Sequence, residues 1–379
     1  MAVQYTIKLY DDTGLAIGIV TPLSIAVVSK VNTPSIATFS VNLNAAVVAN
    51  LDYGYIIQIT RSNADLGINT YVEFSGFIRT LRRVYGSNPI LEITAIDAKC
   101  ILMDRIVAWY PNLLGASYFR TSSYPTASSI MTALWNYNVS SSANGNPPSM
   151  TTAMTRRYGT ALNRWTDGRI TNATAATDLS IGNAIEYACS GENVLVAMQK
   201  TADIGSLDFT VNLTISTVSF SLFYADTLGA DRRSYVKFSQ QNNTVGTLTR
   251  TSNLINAVTL YHAIGKGKDK NNLKAKYPTT APTGISLREA YAKGADSVNA
   301  SQLQNLARSR YAQQQRKINS YDIQVLQSGA WLYGRDYFLG DLVTVQVTST
   351  STLTRKVYAV SLSVNSQGVE EVRVDLATN

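Results

Sequence analysis

Few residues in this chain are equipped for chemistry. They are one histidine, His262, two cysteines, Cys100 and Cys189, and a pair of glutamates, Glu186 and Glu192. His262 falls in or at the end of an expected strand with no second histidine or cysteine near it in sequence, so metal-ligand spacing is absent and a structural or interfacial histidine is expected. Both cysteines stand in expected helical, mostly apolar stretches, where buried structural thiols are the usual outcome. Two carboxylates flanking a glycosidic bond can hydrolyse it, and Glu186 with Glu192 would be the candidates, but nothing in the sequence sets them across a cleft. The loop Gly-Lys-Gly-Lys-Asp-Lys from Gly265 lacks the residue order of a phosphate-binding loop and reads as a solvated basic loop. Arg79, Arg82 and Arg83 offer a basic patch and a candidate channel lining, although adjacent strand positions face opposite sides. No catalytic, cofactor-binding or metal-binding residue is assigned, no cofactor is expected, and the expectation is a protein that is not an enzyme.

The elements that position these residues are mainly strands. In the first hundred residues apolar and polar positions alternate with the two-residue period of half-buried β-structure, and turn residues separate short runs. Tyr5, Ile7 and Leu9 share one face of an opening strand, Asp11 to Gly14 supply a turn, and further runs lie at Leu15 to Val20, Ser35 to Leu43, Tyr55 to Arg61, Tyr71 to Val84 and Ile90 to Ile96. Asp97 is placed to cap a short helix through Met103.

A helix near Thr126 to Tyr137, a second from Glu192 to Ala202 and strands at Leu207 to Leu213 and Val218 to Tyr224 give a mixed middle region. A strand at Asn256 to His262 and a helix from about Ser297 to Lys317, with Leu303, Leu306, Ala307 and Tyr311 as its apolar stripe, precede a return to the two-residue period. The expected fold class is mainly β with α+β inserts, containing two related small β-barrels. Its expected segments are a first barrel over 1–103, an α+β insert over 104–250, of which a part can return to the first barrel, and a second barrel over 251–379, interrupted by a loop and helix at about 263–317.

The second barrel is expected because two distant segments share one plan. Gly54 to Arg61, Glu73 to Val84 and Ile90 to Asp97 read as three strands joined by a polar loop and then a tight turn, and so do Gly340 to Val347, Arg355 to Val364 and Val369 to Leu376. Any β-meander gives such a pattern, so duplication and coincidence both remain open. Duplication has a geometric consequence: three chains with two similar barrels each present six near-equivalent units about an axis.

Composition limits the setting. Hydrophobic residues make up 45% of the 379 and charged ones only 15%, which favours persistent protein contacts over charge-steered ones. The net charge of +8 comes from basic residues that form no long block, so it reads as a mildly basic protein with an occasional anionic neighbour such as passing DNA. Two cysteines cannot build a disulfide framework, and neither a signal peptide nor an apolar run of ~20 residues is visible, so no membrane anchor and folding in a reducing cytoplasm are expected.

The order of these segments resembles the tail hub, or baseplate hub, proteins of long-tailed bacteriophages. The resemblance is carried by Leu9-Tyr-Asp-Asp-Thr-Gly14, the strand ending in Arg61, Phe74-Ser-Gly-Phe-Ile78, the segment Ile96 to Ile106 and the returning strand Tyr337 to Val345. It covers nearly the whole chain, but none of these is a stringent chemical motif, and 104–250 matches no distinctive family segment. What it implies is a homotrimeric, pseudo-hexameric ring in the virion. A tail tube or distal tail protein would lie on one side and tip or fibre proteins on the other, with DNA or a tape-measure protein passing through. A tail-associated glycan hydrolase and a carbohydrate-binding receptor module are the rival readings.

Overall fold

The computed structural model describes residues 3–107, 119–120, 125–140, 170, 172–185, 187–189, 191–252, 255, 257–265, 272–280, 282–293, 300–327, 330–365 and 367–377. The alternating first hundred residues form β1 (Gln4–Tyr10), β2 (Ala16–Val20), β3 (Ser24–Lys30), β4 (Thr33–Asn42), β5 (Ile56–Asn63), β6 (Ile68–Val84) and β7 (Ile90–Asp97). After them come α1 (Cys100–Met103), β8 (Phe119–Arg120), α2 (Ala127–Asn138), β9 (Ala188–Cys189), α3 (Val194–Gly205), β10 (Leu207–Leu213) and β11 (Val218–Tyr224). The remainder is β12 (Lys237–Phe238), β13 (Val245–Ser252), β14 (Leu260–Ile264), β15 (Lys274–Tyr277), β16 (Glu289–Lys293), α4 (Ala300–Ile318), β17 (Asn319–Val325), β18 (Leu342–Gln346), β19 (Thr352–Val364) and β20 (Glu370–Ala377). The mainly β class is as the sequence reading has it.

The chain forms two compact units. Unit 1 gathers Met1–Ile101, Phe209–Leu248 and Ile323–Asn379, whereas unit 2 gathers Leu102–Asp208 and Thr249–Asp322. The strands from both ends of the chain thus belong to one body. The reason is β3, a run that the sequence reading passed over: Ile25 to Val364 through Lys30 to Ala359, it pairs antiparallel with β19. Its buried positions Ile25, Val27 and Ser29 do alternate, but the intervening Ala26 and Val28 are apolar too, which hides the period.

Unit 1 is built on an 11-stranded sheet in the order β12-β18-β19-β3-β4-β7-β6-β5-β1-β2, with β20 on the other side of β19. This path is open; among the described strands neither expected barrel closes on its own. Its main core takes Ile7 and Leu9 from β1, Ile25 and Val27 from β3, Phe39 from β4, Ile57 and Ile59 from β5, Ile78 from β6 and Ile93 from β7. Each such side chain stabilises by roughly 1.5–3 kcal/mol when fully removed from water, and the two-residue period is what delivers them all to one face.

The two meanders share more than order. In each, the long middle strand pairs through its first half with the strand before it and through its second half with the strand after it: β6 with β5 and then β7, β19 with β18 and then β20. At the handover Gly54 N donates to Ile78 O (2.9 Å) and Ile78 N to Tyr55 O (2.8 Å), while Gly340 N donates to Val357 O (2.8 Å) and Val357 N to Asp341 O (2.9 Å). Both glycines have positive φ, +82° and +91°. In both, the register of the following strand slips immediately afterwards, between Ile78 and Thr80 and between Val357 and Ala359. A shared bulge position is a stronger sign of common construction than three strands in a row, because bulges occur at particular places and re-aim the strand.

Unit 2 holds α2 packed on α3, and a second group in which α4 lies on the three-stranded sheet β15-β14-β16. Thr126 caps α2 by accepting from Ser129 N, and Asn193 caps α3 by accepting from Leu195 N and Val196 N, so the second helix starts two residues beyond the expected Glu192. In α4 the expected stripe is buried at Leu303 and Ala307, with Leu306 packed beside them. β15 and β16 fall where a polar loop was expected; Lys274-Ala-Lys-Tyr277 and Glu289-Ala-Tyr-Ala-Lys293 bury only small or aromatic positions on alternate residues. No helix among the described residues is long and apolar enough to cross a membrane.

Candidate functional site

The most concentrated chemistry in unit 1 is a polar cluster between the two meanders. On β5 the inward positions run Ile57, Ile59, Arg61, so the strand that buries two isoleucines also buries a guanidinium, 2% exposed. Glu370, at the first position of β20, receives it in a fork: Nε donates to Oε1 (2.7 Å) and Nη2 to Oε2 (2.8 Å). Nη1 donates to Tyr71 OH and to the Tyr333 carbonyl, both at 3.0 Å, and the guanidinium lies over the Tyr333 ring. Every donor of a buried arginine that lacks a partner is costly, and here the fork, a hydroxyl and a carbonyl supply them.

A second carboxylate, Glu73, sits beside this pair and accepts from the hydroxyls of Tyr71 and Tyr333. Burial pushes its carboxyl up from the usual range, against the downward pull of Tyr71, Arg61 and Tyr333. Tyr5 OH donates to Glu370, and burial, with the Glu370 charge next, raises the Tyr5 hydroxyl. Gly334 closes the cluster from above: with φ +84°, a Cβ there would stand 2.5 Å from Arg61 Nη1 and 2.6 Å from Tyr71 OH. Next to it Asp341, 3% exposed, accepts from Ala230 N (2.6 Å), Arg232 Nε (2.7 Å) and Phe338 N (2.9 Å), anchoring the start of the second meander.

The arrangement holds strands together, tying β5 and β6 to β20 and to the turn at Tyr333. Sequence reasoning missed Glu73, Tyr71, Tyr333 and Glu370 as a group. The available signal was Arg61, a charge at an inward position of an apolar period-two run, which requires a buried partner.

The residues singled out from sequence are not brought together. His262 Nε2 lies 2.7 Å from Glu289 Oε1 on an exposed face of the small sheet in unit 2. Glu186 lies outside the described residues, and both oxygens of Glu192 are occupied, by Tyr187 OH at 2.8 Å and by the Lys200 ammonium. Cys189 is buried, yet in the short strand β9 and not in a helix as expected; burial, with Glu192 second, pushes its thiol up to about 12. Cys100 begins α1 and accepts from Arg79 Nη2 at 2.8 Å, while Arg82 pairs with Glu92, so two of the three arginines of the expected patch have local partners. Of the basic loop after Gly265, residues 266–270 lie outside the described residues. Among the described residues no group of three or more His, Cys, Asp or Glu side chains is placed to hold a metal ion.

Solved structures share this whole architecture at low identity. A tail protein from Neisseria meningitidis MC58 matches with TM-score 0.58 and 13% identity, over 99% of this chain and 97% of that one. The 43 kDa tail protein of prophage MuSo2 from Shewanella oneidensis matches with TM-score 0.60 and 10% identity, over 99% and 98%. Prophage tail protein gp18 from Listeria monocytogenes EGD-e gives 0.55 and 13%, over 98% and 94%. At such identities these likenesses concern the fold alone. No curated protein matches the sequence. The sequence itself matches one family from residue 6 to residue 376, a span that takes in both meanders and everything between them, and the chain therefore belongs to the family described as Siphovirus ReqiPepy6 Gp37-like protein.

Proposed function

We propose that the chain is a structural tail hub protein of a bacteriophage. In this reading three copies close into a ring with pseudo-sixfold order, seated between the tail tube or distal tail ring and the tail tip. The ring leaves a central passage for DNA or a tape-measure protein, and assembly takes place in the host cytoplasm before incorporation into the virion. The observation that carries it is the repeated handover, Gly54 with Ile78 and Gly340 with Val357, which gives one chain two meanders of the same register. Two alike units per chain allow a threefold assembly to meet a sixfold neighbour with similar surfaces. Family membership and the fold shared with tail proteins support the setting. Its chemistry is adhesion between strands, and the pairing of Glu192 with Tyr187 and Lys200 gives glycan hydrolysis no observation in its favour.

Native mass measurement of purified tails or of the concentrated protein, with averaged images along the axis, tests this. Three chains displaying six lobes are expected. A monomer that persists at virion-like concentration overturns it.

A further inference from the structure

The formal charge of this chain is unevenly placed. Although the basic residues form no unbroken block, residues 260–318 carry 11 of the 33 basic and 3 of the 25 acidic residues, a net +8, and the rest of the sequence holds 22 of each sign. The whole excess belongs to the segment that builds β14, β15, β16 and α4.

Within that body a groove of about 380 Å³ runs between β16 and α4. Among the described strands β16 ends the sheet order β15-β14-β16 and pairs with β14 along one side. Its residues alternate, with Ala290 and Ala292 half-buried and Glu289, Tyr291 and Lys293 exposed. The alanines are in register with Tyr261 and Ala263, which pack toward α4, so β16 places only methyl groups on the helix side. A gap remains between strand and helix, and its far wall is Leu306, Arg310 and Gln314, set four residues apart on α4.

We propose that this groove receives an extended, acidic peptide segment of a partner protein, added as a further strand to β16. A terminal strand offers main-chain donors and acceptors for such an addition. The spacing fits: alternate residues of a strand are ~6.7 Å apart, and four residues of helix rise ~6 Å. Successive inward side chains of the added strand therefore meet Leu306, Arg310 and Gln314 in turn, which selects an aliphatic residue, a carboxylate and a small polar residue. Lys293 on the edge repels a basic strand and favours an acidic one. A nucleic acid or an anionic glycan would use the charge but neither the strand edge nor the four-residue step.

Fluorescence anisotropy on the full chain tests the proposal. The probe is a labelled peptide of alternating threonines with leucine, aspartate and asparagine between them, made in both directions. It is compared with two versions N-methylated on alternate residues in opposite frames, and with an oligothymidylate. Saturable binding is expected for one direction, lost in one methylation frame and kept in the other. It should weaken about tenfold or more in Arg310→Glu and in Ala292→Leu, which fills the groove. Circular dichroism checks that both variants fold, and Arg310→Gln, which removes the charge without reversing it, provides a second reading with a smaller loss. No binding by either peptide, equal binding by both methylated frames, unchanged binding in both variants, or tighter binding of the oligothymidylate overturns it.

Discussion

Arg61 in β5 and Glu370 at the head of β20 form a forked ion pair across 309 positions of sequence, fastening the first meander to the second. Because the guanidinium is 2% exposed and the carboxylate 12%, the pair is held by geometry and cannot be replaced by water. Removing one member of such a pair leaves an uncompensated charge, which costs about 3–5 kcal/mol, while replacing both with apolar groups of similar size is often neutral. Arg61→Ala should therefore lower the urea midpoint sharply and Glu370→Gln less so, whereas Arg61→Met with Glu370→Met together recovers most of the loss. Additive losses in the double variant would show that the two residues act separately.

Glu73 makes stability depend on pH in the opposite sense to an ordinary paired carboxylate. Its native value is raised by burial, so the native state holds the proton more tightly than the unfolded chain. The contribution is fully present below the unfolded carboxylate value and is lost as pH rises through the native one. Glu73→Gln keeps an acceptor for one tyrosine and carries no charge. Melting temperatures from about pH 4 to about pH 8 should converge for the two proteins in acid, with the variant gaining relative stability as pH rises. Parallel curves would remove Glu73 as the source.

Both thiols should be slow to react in the folded protein. Cys100 is 1% exposed, which keeps reagents from its sulfur, and Cys189 is 9% exposed with its thiol pushed up to about 12, so little Cys189 thiolate is available at neutral pH. Maleimide labelling followed by mass spectrometry should modify neither until denaturant is added. Prompt native labelling of Cys189 would contradict the depth of its site.

The sequence reading succeeds where burial follows a clean period and falters where it does not. Tyr5 to Leu9, Ile57 to Arg61 and the stripe Leu303, Leu306, Ala307 declare their faces, because alternate or helical positions differ in polarity. β3 was passed over because all of Ile25 to Val28 is apolar, although its pairing with β19 decides that both ends of the chain share one sheet. β16 carries no strand signal in the sequence because its inward residues are only Ala290 and Ala292. The Arg61 cluster could not be assembled from sequence, since its members come from β1, β5, β6, the turn at Tyr333 and β20, and single-chain periodicity says nothing about which strands meet.

The repeated handover makes a paired prediction about Gly54 and Gly340. Both need positive φ, which a residue bearing Cβ adopts at a cost of roughly 1–2 kcal/mol. Their surroundings differ. A Cβ at Gly54 meets nothing within 4 Å, whereas at Gly340 it would stand 3.0 Å from Leu228 Cγ and 3.2 Å from Gly229 N. Gly54→Ala should therefore lose only the conformational part, and Gly340→Ala that part plus the displacement of Leu228 and the backbone beside Asp341. The common conformational part follows from duplication, because both glycines enter a strand at the same bulge, and the excess reports the packing that only the second meander has. Thermal unfolding of the two variants measures both. Equal losses would mean that the space around Gly340 yields freely, and a negligible loss at both would mean that the shared register does not depend on its glycines.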